Sequence, residues 1–111
     1  MIEAMWSVRF VTNQSSAGNG VIVLENGKIF GGDSSFTYIG NFEVKDGIVR
    51  AEIRVKKYAN VAGIHSISGS DEYILPLSGK INSDEMILSG SPSNNPNIDV
   101  AVIITRVAEL D

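Results

Sequence analysis

The chain predicts an all-β domain: eight antiparallel strands in up-and-down meander order, closed into a barrel. Three observations predict it. Apolar and polar residues alternate with a period of two over most of the strand segments. The segments are joined mostly by short runs of turn formers, among them Asn26-Gly27 and Lys45-Asp46-Gly47. No long stretch carries the periodicity of an amphipathic helix. Closure is expected because an open sheet would leave two unpaired edges in water.

The 111 residues read as a single domain, 1–111, long enough for one core and too short for two. Hydrophobic residues make up 43% and charged residues 20%, a globular composition. The formal charge of -4 gives no electrostatic footprint for a phosphate backbone, so no nucleic acid is expected. The absence of cysteine excludes disulfides, thiolate metal sites and thiol nucleophiles. No apolar run reaches the ~20 residues of a membrane-spanning helix. MIEAMWSVRF, with an acid at Glu3, is not a secretory leader. The expectation is a soluble cytoplasmic protein without a membrane segment.

The first strand is Ala4 to Thr12, with Trp6, Val8 and Phe10 on one face and Ser7 and Arg9 on the other. Asn13 to Gly18 is a loop. Its Asn13-Gln14-Ser15 matches a glycosylation sequon, which has no use in a protein that is not secreted. The second strand, Asn19 to Glu25, and the third, Lys28 to Gly31, are joined by Asn26-Gly27, which accepts the positive φ of a type I′ turn. Gly31-Gly32-Asp33 breaks the ladder. Its glycines permit a bulge or corner, and Asp33 can bond neighbouring amides.

The fourth strand, Ser35 to Val44, places Phe36, Tyr38, Gly40, Phe42 and Val44 on one face. The fifth, Ile48 to Lys57, sets Val49, Ala51, Ile53 and Val55 against a wet face of Arg50, Glu52, Arg54 and Lys56. Tyr58 to Ser70 is the longest connection, with no clear period and room for a helical turn; such loops are often lids or binding loops. The sixth strand is Asp71 to Ser78, with Tyr73, Leu75 and Leu77 aligned and Pro76 on the other parity. Ser78 to Ser83 turns the chain into the seventh, Asp84 to Gly90. After a Pro- and Asn-rich loop, Ser91 to Asn97, the eighth runs from Ile98 to Val107 and is apolar on both faces. Either the long loop covers such a strand or a second copy does, and the favoured reading is a symmetric homodimer with Ala101 and Ile103 near the contact.

Catalysis has little material. His65, the only histidine, sits in the long loop with no carboxylate at fixed spacing, and a solvated histidine is the simpler reading. No nucleophile elbow occurs, and Gly18-Asn19-Gly20 lacks the third glycine of a dinucleotide loop. Asp71-Glu72 and Asp84-Glu85 read as solvated strand starts and do not have the spacing of a calcium loop. Arg50, Arg54, Lys56 and Lys57 read as a charged outer face. No cofactor and no metal site is implied. The aromatics on core parity are Trp6, Phe10, Phe36, Tyr38, Phe42 and Tyr73. They fill a core or line a pocket for a small apolar ligand, whose position the tyrosine hydroxyls would fix. In a closed barrel Trp6 and Arg106 belong to neighbouring strands, so the guanidinium can cover the indole. That pairing resembles the tryptophan–arginine signature of lipocalin-like barrels.

WSVRF, GNGVIVLENGKIFGGDSSFTYIGNFEV and the long hairpin after them resemble the GrlR-type negative regulators of type III secretion. The Gly31-Gly32-Asp33 corner followed by Phe36 and Tyr38-Ile39-Gly40 carries most of the resemblance, which covers residues 5 to 58 best. It implies a lipocalin-like eight-stranded barrel, commonly dimeric, that binds and silences a transcriptional activator and is not an enzyme. The family's well-known member recruits its partner through a Glu-Asp-Glu-Asp run on the turn of the long hairpin. Here that turn is Glu43-Val44-Lys45-Asp46-Gly47, so the implied partner-binding residues are Glu43, Lys45 and Asp46, and the acidic run itself is absent. The expected function is therefore non-enzymatic regulation by sequestering a protein partner; the alternative is a carrier or sensor of a small apolar ligand inside the barrel.

Overall fold

The computed structural model describes residues 2–13, 16–62 and 66–110, without the side chains of Ser16 and Ala17. Eight strands follow in order: β1 (Ala4–Thr12), β2 (Ser16–Glu25), β3 (Lys28–Gly32), β4 (Phe36–Lys45), β5 (Ile48–Lys57), β6 (Glu72–Lys80), β7 (Glu85–Gly90) and β8 (Val100–Glu109). Each pairs antiparallel with the next, and β1 pairs with β8, so the sheet is a closed up-and-down barrel. No helix occurs among the described residues, and none is found in the described parts of the long connection.

The alternation places one parity of every strand inside. Trp6, Val8 and Phe10 of β1, Val49 and Val55 of β5, Leu75 of β6, Met86 of β7 and Ile104 of β8 are all buried in one core. The opposite parity of β5, Arg50, Glu52, Arg54 and Lys56, faces solvent. Two tight turns adopt the left-handed backbone their residues permit, Asn26 (φ 53) with Gly27 (φ 74) and Asp46 (φ 54) with Gly47 (φ 77). Both are the type I′ geometry that matches strand twist.

Several expectations move. β6 continues past Ser78 through Gly79 and Lys80, which read as a turn, because Val49 and Ile48 of β5 still offer them ladder partners. β8 starts at Val100 and runs on to Glu109, with Ala4 and Met5 as its last partners. Val44 shares the parity of the core yet is exposed, because β3 supplies its last partner to β4 at Asn41 and beyond Phe42 that strand has only β5 beside it. Lys57 does not join the outer charged face. It falls on inner parity at the end of β5, half-buried, 3.7 Å from Asp71.

The two ends of the barrel differ. The turns at Asn26, Asp46 and Ile81–Asp84 gather at one end, with the N-terminal start of β1 and the end of β8. The other four connections, the two longest among them, gather at the other end, which is the mouth. Three of them are tied there: Asn13 N donates to Asp99 O (3.1 Å) and Asn94 Nδ2 to Ser70 Oγ (2.9 Å), while Ser93 N donates to Ile74 O of β6 (2.9 Å).

Close backbone approach constrains the sheet at particular glycines. A methyl group at Gly40 would lie 2.0 Å from the Glu52 carbonyl oxygen. Gly40→Ala is therefore expected to cost about 2 kcal/mol or more by forcing β4 and β5 apart. Gly18, also in a strand, has nothing within 4 Å of that position, so Gly18→Ala should be neutral or slightly stabilising. Leu75, fully buried, should cost about 2–5 kcal/mol as Leu75→Ala. Urea unfolding of the three variants checks the ranking.

Candidate functional site

At the closed end the Trp6–Arg106 expectation is met. Trp6 and Arg106 are ladder partners, and the guanidinium carbon lies 5.0 Å from the ring centroid. Arg106 continues the inner parity of Val102 and Ile104, and the register shift between Met5 and Trp6 then skips Val107, which is exposed. Arg106 Nε donates to Ser83 O (2.6 Å), its Nη1 lies 3.3 Å from Glu109 Oε1, and Trp6 Nε1 donates to Ile2 O (2.8 Å). The floor is thus a stacked, hydrogen-bonded plug.

Between floor and mouth the interior is filled by side chains. The remaining void, walled by Val8, Ile22, Ile53, Leu75 and Ile104 among others, is about 20 Å³. That is room for roughly one water.

The six aromatics named from the sequence do not form one row. Trp6 belongs to the floor, and Phe42 is half-buried toward the same end. Phe10, Phe36, Tyr38 and Tyr73 converge at the mouth, where they line a cavity of about 90 Å³ with Val55, Ile67 and Asp33. Phe10 and Tyr38 meet edge to face, centroids 5.3 Å apart.

The Gly-Gly-Asp corner builds this mouth. Asp33 Oδ1 accepts from the amides of Ser35 (2.8 Å) and Phe36 (2.7 Å), which turns the chain from β3 into β4. The Tyr38 hydroxyl donates to Asp33 Oδ2, and the Tyr58 hydroxyl to the Asp33 carbonyl oxygen. Ser35 is fully buried, donates its hydroxyl to Ala59 O (2.6 Å) and accepts at its carbonyl from Tyr58 N (2.9 Å). The start of the long connection is therefore pinned to the corner. Tyr73 is only 6% exposed, faces the same cavity, and its hydroxyl has no hydrogen-bond partner among the described residues. Asp33 was legible as a turn residue; that it gathers Tyr38 and Tyr58 was not, since Tyr58 lies 25 positions away.

The residues implied as partner-binding, Glu43, Lys45 and Asp46, lie on the exposed tip of the β4–β5 hairpin. Ala101 and Ile103 face outward on β8 and are half-buried, with Ile87, 58% exposed, opposite Ile103. A larger outer feature was not read from the sequence. Met5 is opposite Val23, Val23 opposite Phe30 and Phe30 opposite Ile39, so four apolar side chains form one row across β1 to β4. Phe30 is 49% exposed, Ile39 46% and Met5 37%. The row shows only when the register is known.

His65, and Gln14 and Ser15 of the sequon, lie outside the described residues. Among the described residues no three His, Asp or Glu side chains come together as metal ligands. No protein-family model matches the chain, and no curated protein matches it.

Burial, with the bond to Asp33 and its negative charge, pushes the Tyr38 hydroxyl well above its ordinary value of 10.0. Burial and the charge of Asp33 push Tyr73 up in the same way. Both keep their protons in the folded state beyond the pH at which the unfolded chain releases them. Their stabilisation is complete below about pH 10 and is lost as the pH rises above it, by about 1.4 kcal/mol per pH unit for each tyrosine. Urea midpoints taken from about pH 9 to about pH 11 should fall for the native protein and fall less steeply for Tyr73→Phe.

Proposed function

We propose that the protein is a non-enzymatic binding module that holds a protein partner on its outside, in the manner of the negative regulators its sequence resembles. The observation that carries this reading is the exposed apolar row Met5–Val23–Phe30–Ile39. Cross-strand apolar pairs stabilise a sheet by a few tenths of a kcal/mol to about 1 kcal/mol each, which explains some of the pattern. It does not explain a Phe and an Ile about half exposed side by side, and such contiguous surface is characteristic of interaction sites. Lys28 and Arg54 next to the row, with Glu25 and Glu52, offer charges of both signs for orientation.

The reading inherited from the resemblance makes that partner a transcriptional activator and gives the hairpin tip Glu43, Lys45 and Asp46 a part in recruiting it. The filled interior speaks against the alternative of a carrier with cargo inside the barrel. Exposed Ile87 beside Ile103 supports a homodimer through β7 and β8, which sedimentation of native protein and Ile87→Lys would test.

Affinity capture from the source cytoplasm, with bound proteins identified, tests the main reading. Wild type should retain a transcriptional regulator, and Phe30→Asp and Ile39→Asp should lose it while changing stability by no more than about 1 kcal/mol. Retention of the same partner by folded Phe30→Asp and Ile39→Asp would overturn the assignment of the surface. Recovery of no regulator at all would overturn the function.

A further inference from the structure

The outer row leaves the cavity at the mouth without a role. We propose that this cavity binds the head of a small alkylammonium: the cation faces the Asp33 carboxylate and the rings of Phe10, Phe36 and Tyr73, and an ammonium N–H is donated to the Tyr73 hydroxyl oxygen.

Four observations carry it. The cavity is about 90 Å³, far larger than the void in the barrel interior. A dry site of about 150 Å³ takes benzene, so this smaller one suits a compact head group of roughly four or five heavy atoms. Its walls are the rings of Phe10, Phe36, Tyr38 and Tyr73, and ring faces attract cations. Asp33 is the one charged side chain lining it among the described residues. The nearby cation on β5, Lys57, is turned to Asp71 at 3.7 Å and does not line the cavity.

The third feature sets the sign of the charge. An anion would face the Asp33 carboxylate across an apolar space with no cation to offset it. A neutral hydrocarbon would bury the Tyr73 hydroxyl and one side of the carboxylate without a partner. An ammonium satisfies both. Asp33 Oδ1 is committed to the Ser35 and Phe36 amides, while Oδ2, which takes the Tyr38 hydroxyl, keeps a further lone pair.

The fourth is Tyr73 itself. It is 6% exposed and lines the cavity, and its hydroxyl, which has no hydrogen-bond partner among the described residues, is not sealed from solvent. Burial and the charge of Asp33 hold it in its neutral form, so its oxygen accepts while its proton stays in place.

The test is an aromatic and methyl NMR titration of the intact protein at matched ionic strength. The ligands are tert-butylammonium chloride, its neutral isostere tert-butanol, and pivalate as the anion. Tert-butylammonium should give saturable shifts at Phe10, Phe36, Tyr38 and Tyr73. Tert-butanol should bind roughly tenfold more weakly and pivalate should not bind. Tyr73→Phe, which removes a hydroxyl with no hydrogen-bond partner among the described residues and so leaves the fold intact, should weaken the ammonium several-fold. Asp33→Asn, which keeps an oxygen for the two amides, should bring the ammonium down to the level of tert-butanol. Equal binding of tert-butylammonium and tert-butanol, shifts that never saturate, or wild-type affinity in Tyr73→Phe would each overturn the proposal.

Discussion

The pairing of β1 with β8 is the constraint on which the other features depend. It runs from Ala4 opposite Glu109 to Thr12 opposite Val100 and turns an open sheet into a tube. Once the tube is closed, every strand has a fixed inside and outside, and a one-residue slip anywhere would put charges such as Arg54 into the core. Eight strands also fix the bore, which is just wide enough for side chains to fill. The same pairing places Arg106 on Trp6. The plug at the floor is thus a consequence of closure, and closure is in turn held by the plug.

Closure also sorts the connections. In an eight-stranded meander, turns alternate between the two ends. Here the chain has put its two shortest turns at the floor and its two longest connections at the mouth. The corner at Asp33 is the hinge of that arrangement. One carboxylate ends β3, starts β4 and receives Tyr38, while its own carbonyl takes Tyr58 from the following hairpin. A group that satisfies so many donors is structural first. Its charge is nevertheless left beside an apolar cavity, and that residual charge gives the mouth a chemical preference.

Much of the barrel was legible because its information is local. Alternation along β5 and the Asn26-Gly27 and Asp46-Gly47 turns need only neighbouring residues to be read. The Trp6–Arg106 contact was within reach because closure makes first and last strands neighbours whatever the register of the rest. What escaped depends on pairing offsets. Val44 carries core parity but has lost the neighbour strand that would cover it, and Lys57 carries core parity in a place where Asp71 can meet it. The row Met5–Val23–Phe30–Ile39 draws one residue from each of four strands, none remarkable in its own segment. The gathering of Phe10, Phe36, Tyr38 and Tyr73 away from Trp6 and Phe42 likewise required knowing how far each aromatic sits along the tube axis.

The balance between filled bore and open surface narrows where this chain can do work. A ligand-holding barrel of eight strands must save interior volume by placing small side chains along its axis. This one spends the same positions on Trp6, Ile29, Leu75, Met86 and Ile104, all of them fully buried. Cores packed this way resist insertion, because admitting a ligand requires moving several side chains out of their rotamers at once. Chemistry is then left to the places closure does not consume. These are the outer parity, where Phe30 and Ile39 stand exposed, and the mouth, where the ladder ends and the Tyr73 hydroxyl has no partner among the described residues. The two lie on different parts of the surface, so occupation of one does not require the other to be empty.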